Sequence, residues 1–437
     1  MNFNITTQTI DGRSRIYIYD NILNRVYNKD LNQINIENIY ELGISKPIAD
    51  RSRFWEKSTN LKTLKIQIGL GCNLNCSYCG QRYYVSEDYR TVNCSNLLEK
   101  NEPDIEFFLK RIKSVISSVE NIVFVGGEPL LYLQRLFPLV SGLKKLFPCA
   151  RLTIITNGIC FDKNIADWLL ENKIRLLLSH DGPNSTKYRV GLDVFCDSNK
   201  IDLLRYFIDS SKRNGFINSF QICTVISNIN TNLREIVTWF ENKLQRSLHI
   251  NFESIVRLNK NTQKFVQPFT VEDLNYLADE IESIYLLPAG ISLRAAVKDV
   301  AERILRSIDL HQLGYACDVV QADVLSCDLF GNILTCAPYP ARLTSYGAIE
   351  HSSFAETSKL IPWHKRKNCS SCPFLVSCLG GCSFQSEENH EISCHTLRYW
   401  HAIIFNLAWK MIFKERILNI KGVNEDEISG HLCNTRR

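Results

Sequence analysis

The chain has 437 residues, of which 45% are hydrophobic and 22% charged, with a net charge of +5 and 17 cysteines. This length allows two or three domains with full hydrophobic cores, and the composition excludes a disordered or collagen-like chain. A positive charge this small does not indicate a nucleic-acid partner. The cysteine count is the unusual feature.

The cysteines do not indicate a secreted disulfide scaffold. The opening MNFNITTQTIDGRSR lacks the apolar segment of a signal peptide. The longest apolar stretch, residues 399–413, contains His401, Asn406 and Lys410 and is too short to cross a bilayer. Small domains use many disulfides to compensate for a missing hydrophobic core. This chain is long enough to form such a core and does not need that stabilisation. We therefore expect a soluble protein in a reducing compartment, the cytoplasm, with no membrane or nucleic-acid partner, whose thiolates bind a ligand still to be identified.

The first segment, residues 1–60, is predicted to differ from the rest. SRIYIYDN and ILNRVYNK predict a β-hairpin with its turn at Asp20-Asn21, and a helix follows over about residues 35–42.

From residue 61 to residue 290, short β-branched runs alternate with amphipathic helical patterns. The predicted strands are LKIQIGL, NIVFVGG, LTIITNG, IRLLLSHDG, FQICTVIS and LHINFES. Apolar strands alternating with helices predict a parallel sheet covered by helices. Six units are too few for a closed eight-stranded barrel, so the predicted fold class is α/β with a partial (β/α)6 TIM barrel. The strand ends carry GCNLNCSYC, GGEP, TNG and SHDG, which predicts a functional site at that rim.

Three cysteines follow the first strand on one short loop, as Cys72-x3-Cys76-x2-Cys79. Three thiolates cannot complete a closed tetrahedral zinc site, whereas a [4Fe–4S] cluster tolerates a fourth iron bound to something else. With aromatic Tyr78 before the last cysteine, the motif resembles that of the radical S-adenosylmethionine (radical SAM) enzymes. The resemblance implies that the free iron binds the amino and carboxylate groups of S-adenosylmethionine. An electron from the cluster would then release a 5′-deoxyadenosyl radical.

The other rim motifs resemble the same family. By this resemblance, GGEP implies a site for the methionyl ammonium of the cofactor. The glycines permit the backbone to approach it closely, and the carboxylate pairs with the positive amine. The TNG and SHDGP motifs resemble those of the peptide-modifying branch, which places Ser179 near the carboxylate or ribose of the cofactor. The arginine that often follows DGP is displaced here, and Lys187 and Arg189 both stay open as its replacement. The predicted cofactor-binding residues are Tyr78, Gly126, Gly127, Glu128, Thr156, Asn157, Ser179 and Asp181.

Residues 291–396 contain a second group of cysteines. Their spacing resembles the SPASM domain of radical SAM peptide maturases, which implies two further [4Fe–4S] clusters. The implied ligands are Cys369, Cys372, Cys378 and Cys394 for an outer cluster, and Cys317, Cys336 and Cys382 for an inner one. A hairpin over SCDLFGNILTC would pair Cys327 with about Leu334 and make it a further inner ligand, unless a one-residue bulge intervenes. Zinc is the competing metal for this region.

Residues 397–437 are predicted to be a helix, over about residues 397–418, and a tail. Six cysteines stand singly, and an isolated cysteine in an apolar stretch is usually a small buried hydrophobe. They are Cys94, Cys149, Cys160, Cys196, Cys223 and Cys433.

The resemblance implies a radical SAM oxidoreductase that matures a ribosomally made peptide. Members of the family form sulfatase formylglycine, thioethers, or crosslinks at aromatic rings. The leading hypothesis is a macrocyclic crosslink at an aromatic side chain, as in the cyclophane and darobactin-like classes. Ala337 stands where sulfatase-maturing members usually carry an aspartate base, which argues against that activity. Quinohemoprotein-type and mycofactocin-type maturases stay open, as does a thioether-forming one.

This hypothesis implies three [4Fe–4S] clusters and S-adenosylmethionine as cofactors. It also implies two partners, a precursor peptide and a reductant such as a flavodoxin or ferredoxin. Residues 1–60 could bind the leader of that peptide, or could be a plain extra hairpin. Rim residues Tyr83, Tyr84, His180, Tyr339 and Arg342 could touch the substrate, although packing roles are more common. A hypothesis of another class is a non-catalytic iron–sulfur or zinc protein that senses redox state.

Overall fold

The computed structural model describes residues 1–34, 57–83, 102–255, 269–313, 316–317, 321–341, 345–351 and 360–421. The helix predicted over residues 35–42 lies outside these ranges, as do Cys94, Cys433, Tyr84 and Arg342. Within the described ranges, no helix is both long enough and apolar enough to span a bilayer.

The N-terminal segment forms three antiparallel strands. They are β1 (Asn2–Gln8), β2 (Ser14–Asp20) and β3 (Arg25–Tyr27). The predicted hairpin corresponds to β2 and β3, with Asp20-Asn21 at the start of its turn. Strand β1 was not predicted, although its buried and exposed residues alternate.

The partial barrel follows as predicted. Its six parallel strands lie side by side in chain order, and a short pair, β5 and β9, forms a separate two-stranded sheet. The strands are β4 (Asn60–Gln67), β5 (Asn75–Cys76), β6 (Ser118–Val125), β7 (Arg151–Thr156), β8 (Ile174–Ser179), β9 (Arg189–Val190), β10 (Phe220–Ile226) and β11 (Ile250–Ser254). The helices are α1 (Ile105–Val115), α2 (Leu133–Leu146), α3 (Lys163–Glu171), α4 (Ser198–Arg213), α5 (Leu233–Leu244) and α6 (Val271–Tyr285).

Local sequence explains where these helices begin. Asp104, Asp162, Asp197, Asn232 and Thr270 each precede a helix, and each side chain accepts a hydrogen bond from a backbone N–H of the first turn. Such caps satisfy N–H groups that have no partner inside the helix. The connections from strand to helix are thereby fixed at the rim that carries the motifs.

The cysteine-rich region extends the same sheet beyond β4. Two helices, α7 (Ile291–Leu305) and α8 (Leu310–Leu313), lead to β12 (Val324–Asp328), which pairs in parallel with β4. Strands β13 (Asn332–Leu334) and β14 (Ser345–Ala348) then add in antiparallel order. The barrel rim and the predicted SPASM region therefore share one sheet.

The register of the β12–β13 hairpin differs from the prediction by one residue. Cys327 pairs with Ile333, not with Leu334. The turn passes through Gly331, whose φ of 79° suits glycine. Cys327 is 0% exposed and packs in the hydrophobic core. The register therefore gives Cys327 the core residue Ile333 as its partner, while Cys336 lies beyond the end of β13.

The chain ends in helices α9 (Leu375–Cys378) and α10 (Glu387–Phe413) and strand β15 (Arg416–Lys421). The last helix was expected over about residues 397–418. It begins earlier because Ser386 caps it, and it ends at Lys414, whose backbone is left-handed. Strand β15 then pairs with β1.

Candidate functional site

A cavity of about 510 Å³ opens at the carboxyl ends of the barrel strands. Seven of the eight predicted cofactor-binding residues line it together with the three loop cysteines; Asp181 does not. The lining residues among these predictions are Cys72, Cys76, Cys79, Tyr78, Gly126, Gly127, Glu128, Thr156, Asn157 and Ser179. Motifs that are up to 107 residues apart in sequence thus meet at one rim, as parallel strands require.

The thiols of the loop suit a metal cluster. Burial raises the pKa of Cys72 and raises that of Cys76 to about 12, while Arg189 opposes the shift at Cys76. Both are therefore neutral thiols at pH 7 and must lose protons to bind metal. Leu74 N–H donates to Cys72 Sγ at 3.4 Å. Three thiols facing a roomy cavity fit a cluster with one iron left open, whereas a closed tetrahedral site needs a fourth ligand.

The loop is tied to the segment that follows SHDGP. Cys76 pairs with Arg189 in the β5–β9 ladder, and Ser77 N–H donates to Tyr188 O at 2.7 Å. Tyr78 Oη donates to Asp181 Oδ2 at 2.6 Å, and Arg189 Nη1 donates to Tyr78 Oη at 3.0 Å. Asp181, predicted to contact the cofactor, does not line the cavity and accepts the hydrogen bond of the Tyr78 hydroxyl.

Lys187 and Arg189 were the two candidates to replace the arginine that often follows DGP, and Arg189 is the better placed of them. It is 9% exposed and lines the cavity, whereas Lys187 is exposed to solvent. The β5–β9 pairing carries Arg189 to the cluster loop, which sequence spacing alone did not reveal.

The GGEP turn has no room for side chains at its glycines. A Cβ on Gly126 would lie 2.2 Å from the carbonyl oxygen of Gly69, and one on Gly127 would lie 2.2 Å from that of Gly71. Gly127 N–H donates to Gly69 O at 2.9 Å, and Glu128 N–H donates to Gly71 O at 2.8 Å. These glycines therefore let the GGEP turn pack on the loop that leads to Cys72.

Glu128 joins the second and third strand motifs. Its carboxylate is 1% exposed and accepts hydrogen bonds from Thr156 Oγ1 at 2.6 Å, Asn157 N–H at 2.7 Å and Leu130 N–H at 3.0 Å. Burial nevertheless raises the pKa of Glu128, because desolvation outweighs these donors. Asn157 Nδ2 also donates to Asn73 Oδ1 in the cysteine loop at 2.8 Å. A buried carboxylate in this state is suited to receive a cation.

The opposite wall of the cavity comes from the cysteine-rich region. Cys336, Cys382 and Tyr339 line it. The Tyr339 hydroxyl fills the space where a Cβ on Gly80, next to Cys79, would lie. Cys317 is partly exposed, and neither it nor Cys327 lines this cavity. Of the predicted inner ligands, the structure brings two to the cavity wall.

The four predicted outer ligands meet in a separate small pocket. Cys369, Cys372, Cys378 and Cys394 all line a cavity of about 30 Å³ that His390 and Arg398 also line. Across the described ranges, no three His, Cys, Asp or Glu side chains converge on one point as ligands of a single metal ion would. The four thiols surround a space instead, which suits a multi-atom cluster.

Sequence reasoning missed several lining and supporting residues. The Tyr132 hydroxyl accepts from Gly71 N–H at 2.7 Å, and Gln81 Nε2 donates to Gly126 O at 2.9 Å. Cys223 and Glu253 line the far wall, where Asn251 Nδ2 donates to Glu253 Oε1 at 2.8 Å. Only Cys223 and Glu253, at the ends of the fifth and sixth strands, carried a positional signal.

The remaining predictions concern His180 and the single cysteines. His180 packs against Trp239, and its Nε2 donates to Asp193 Oδ1 at 2.9 Å, since its Nδ1 accepts from Gly182 N–H. It does not line the cavity. Of the single cysteines, Cys223 is buried as expected, while Cys149 and Cys196 are exposed. Cys160 is buried and disulfide-bonded.

The site lies in a partial barrel with a three-cysteine loop after its first strand and a buried glutamate after its second. Residues 66–240 match the model of the Radical SAM superfamily.

The curated relatives include a sulfatase-maturating enzyme and a cyclopropyl synthase. The chain is 29% identical over 182 residues to a cysteine-type anaerobic sulfatase-maturating enzyme of Clostridium perfringens (strain 13 / Type A), covering 40% of this chain and 46% of that one. It is 22% identical over 344 residues to the radical SAM cyclopropyl synthase TigE of Paramaledivibacter caminithermalis, covering 75% and 69%. The chain thus spans less than half the length of the first relative.

A solved structure shares the fold. The anaerobic sulfatase-maturating enzyme anSMEcpe with bound AdoMet and a Cp18Cys peptide matches with a TM-score of 0.55 and 18% identity, covering 80% of this chain and 98% of that one. This agreement supports the barrel and the cysteine-rich extension as one architecture.

Proposed function

We propose that the protein is a radical SAM enzyme that oxidatively modifies a ribosomally made precursor peptide, forming a macrocyclic crosslink at an aromatic side chain. One observation carries the proposal. The three loop cysteines and the two inner cysteines, Cys336 and Cys382, face the same cavity. A substrate between them would meet a radical source on one side and an electron acceptor on the other.

The residues present fit S-adenosylmethionine. Glu128 would bind its ammonium and Arg189 its carboxylate, since the buried carboxylate and the guanidinium both line the cavity. Ser179 would lie near the carboxylate or ribose, and Tyr78, held by Asp181, closes the wall beside Cys76. The cofactor, when bound, supplies the 5′-deoxyadenosyl radical that removes a hydrogen atom from the substrate.

The cysteines divide into three proposed [4Fe–4S] sites. Cys72, Cys76 and Cys79 would hold the first cluster, and Cys317, Cys336 and Cys382 the inner one. Cys369, Cys372, Cys378 and Cys394 would hold the outer one. We leave Cys327 outside these sets because it packs in the core opposite Ile333. A flavodoxin or ferredoxin would supply the electron.

A sulfatase-type reaction is the second candidate, favoured by the similarity to the C. perfringens enzyme over 182 residues. Ala337, which is 4% exposed, offers no base where that activity needs one. Glu253 on the far wall is a carboxylate that the proposed cofactor contacts do not use.

Leader binding by residues 1–60 also remains a hypothesis. Strands β1 to β3 cover the C-terminal helix, where Tyr17 packs on Trp409 with ring centroids 5.5 Å apart. Deleting these strands would expose that core, so the test must use the intact chain. A photoreactive leader peptide should crosslink to residues 1–60; crosslinks elsewhere reject the hypothesis.

One experiment distinguishes the hypothesis of a radical enzyme from that of a non-catalytic sensor. Anaerobically reconstituted protein should hold about 12 irons if three clusters form. When reduced, it should cleave S-adenosylmethionine to 5′-deoxyadenosine. Zinc without iron, or iron without cleavage, would favour the non-catalytic sensor. The bond type is then read by mass spectrometry of the small peptide encoded beside the gene, where a macrocycle shows a loss of two hydrogens.

A further inference from the structure

The far wall of the rim cavity carries a carboxylate that the proposed cofactor contacts leave unused. Side chains alternate along β11: that of Phe252 packs in the hydrophobic core, while Asn251 and Glu253 share the opposite face. Glu253 lines the cavity and is exposed to solvent. The parallel register places it beside Val225 of β10, which lines the same wall. The fold therefore directs this carboxylate toward the cavity that the rim and inner cysteines share.

Two neighbouring side chains hold the carboxylate in place. Asn251 Nδ2 donates to Glu253 Oε1 at 2.8 Å. The thiol of Cys223, which is 9% exposed and lines the same wall, donates a second hydrogen bond to Glu253. Burial, followed by the charge of Glu253, raises the pKa of Cys223, so this thiol keeps its proton. In the part of the chain that the structure describes, no basic side chain forms an ion pair with Glu253.

The other ionisable groups on this wall are already engaged. Among the described residues that line the cavity, Glu128 is the only other carboxylate, and it is buried and accepts three hydrogen bonds. The rim and inner cysteines are proposed to bind iron, and Cys223 remains a neutral thiol. Glu253 is therefore the carboxylate in this cavity that can accept a proton from a bound molecule and pass it to solvent.

We propose that Glu253 is the catalytic base that takes the proton which the peptide loses during its oxidation. This inference rests on the proposed function. Of the two hydrogens that leave the peptide, one goes as an atom to the 5′-deoxyadenosyl radical, which becomes 5′-deoxyadenosine. The carbon radical left on the peptide forms the new bond to the aromatic ring. The ring C–H bond then breaks, its proton goes to a Glu253 oxygen, and one electron leaves to an iron–sulfur acceptor.

The test uses the full-length, anaerobically reconstituted protein and the small peptide encoded beside its gene. E253Q keeps the size of the side chain and removes its negative charge. It should lower kcat for the loss of two hydrogens about 100-fold or more, since general base catalysis contributes about 10²- to 10⁴-fold. The partial reaction that forms 5′-deoxyadenosine should stay within about threefold of the wild type, because it precedes proton loss.

Two further measurements separate a base from a residue that only binds or packs. Fluorescence anisotropy of the labelled peptide on unreduced protein should show an affinity for E253Q within about threefold of that of the wild type. Formate, a small carboxylate that can enter the open cavity, should raise product formation by E253A about tenfold and leave the wild type unchanged. E171Q, which changes an exposed glutamate at the end of α3 outside the rim cavity, should match the wild type throughout.

Three results would overturn the inference: product formation by E253Q at the wild-type rate, a loss of peptide affinity with kcat unchanged, or an equal loss of product and 5′-deoxyadenosine. Iron content equal to that of the wild type verifies folding, and E253Q decides alone if E253A does not fold. A wild type that cleaves S-adenosylmethionine and leaves the peptide unmodified rejects the proposed function, and this inference with it. Product from the wild type and equally from E253Q rejects the inference alone.

Discussion

The rim cavity and the outer pocket are both built from cysteines, yet they differ in size and in origin. The rim cavity measures about 510 Å³, and three of its thiols come from eight consecutive residues. The outer pocket measures about 30 Å³ and takes four thiols from two separate stretches, residues 369–378 and Cys394. Organic ligands need pockets of about 300–1,000 Å³. The rim cavity therefore has room for an organic ligand beside its thiols, whereas the outer pocket does not.

Removing the rim thiols is the most direct test of this difference between the rim cavity and the outer pocket. The C72A/C76A/C79A variant should form no detectable 5′-deoxyadenosine, because no iron remains to bind and reduce the cofactor. It should keep about two-thirds of the iron, about 8 of 12 atoms, since the other sites lie elsewhere. Iron analysis and chromatography of the reaction check both.

The matched control for that variant is C149A, which removes an exposed single thiol. Its iron content and cleavage should equal those of the wild type. Cleavage that survives in the triple variant would contradict the assignment of the rim site.

Glu128→Gln should weaken S-adenosylmethionine binding about 10- to 100-fold, because a charge-assisted hydrogen bond contributes about 1.5–3 kcal/mol. Burial raises the pKa of Glu128, so its carboxylate forms only above a higher pH than that of an exposed glutamate. Wild-type affinity should therefore be full above this raised pKa and fall as the pH drops through it. Equilibrium dialysis across that range measures both effects.

Glu120→Gln is the control for Glu128, since Glu120 lies with an exposed side chain on β6, the strand that leads to the GGEP turn. It should leave affinity and its pH profile unchanged. An equal loss in both variants would show that net charge, not the buried site, controls binding.

Changing the outer thiols should lower the iron content without lowering the cleavage of S-adenosylmethionine. C372A/C378A should lose about one-third of the iron while it still forms 5′-deoxyadenosine in the absence of peptide, because the rim site is intact. Iron content and cleavage rates decide. If cleavage falls along with the iron, the two sites are not independent.

Tyr78→Phe tests the wall of the rim cavity and has the smallest expected effect. Loss of the hydroxyl leaves Asp181 Oδ2 and Arg189 Nη1 each without this partner, which should lower the free energy of unfolding by about 1–3 kcal/mol. Tyr206→Phe, whose partly exposed hydroxyl bonds to Asp167, should cost less than about 0.5 kcal/mol. Urea unfolding measures both, and equal costs would contradict the buried network.

Much of the barrel could be predicted because local signals determine it. Apolar runs gave all six strands, capping residues such as Asp162 and Asn232 mark helix starts, and parallel strands bring their ends to one rim. The cofactor motifs could be placed in the same way. Asp181 could not, since the contact that turns it toward Tyr78 joins residues 103 positions apart.

The rest depends on pairings that no local pattern encodes. Cys327 lies opposite Ile66 of β4 on one side and Ile333 of β13 on the other, and no local pattern sets that register. The predicted helix extended to about residue 418, into strand β15, whose extended form is seen only in its pairing with β1.

The sheet that joins β1 to β15 has a consequence for synthesis. The carboxylate of Glu415 accepts a hydrogen bond from the Thr7 hydroxyl at 2.6 Å, across 408 positions of chain. A ribosome adding about 5–20 residues per second needs roughly 20–80 s to cover that distance. Throughout that interval the apolar side of β1, with Phe3 and Ile5, has no partner strand on one edge and no C-terminal helix beneath it. The same chain segments that shield the finished molecule are therefore its most vulnerable surface to chaperones and proteases during translation.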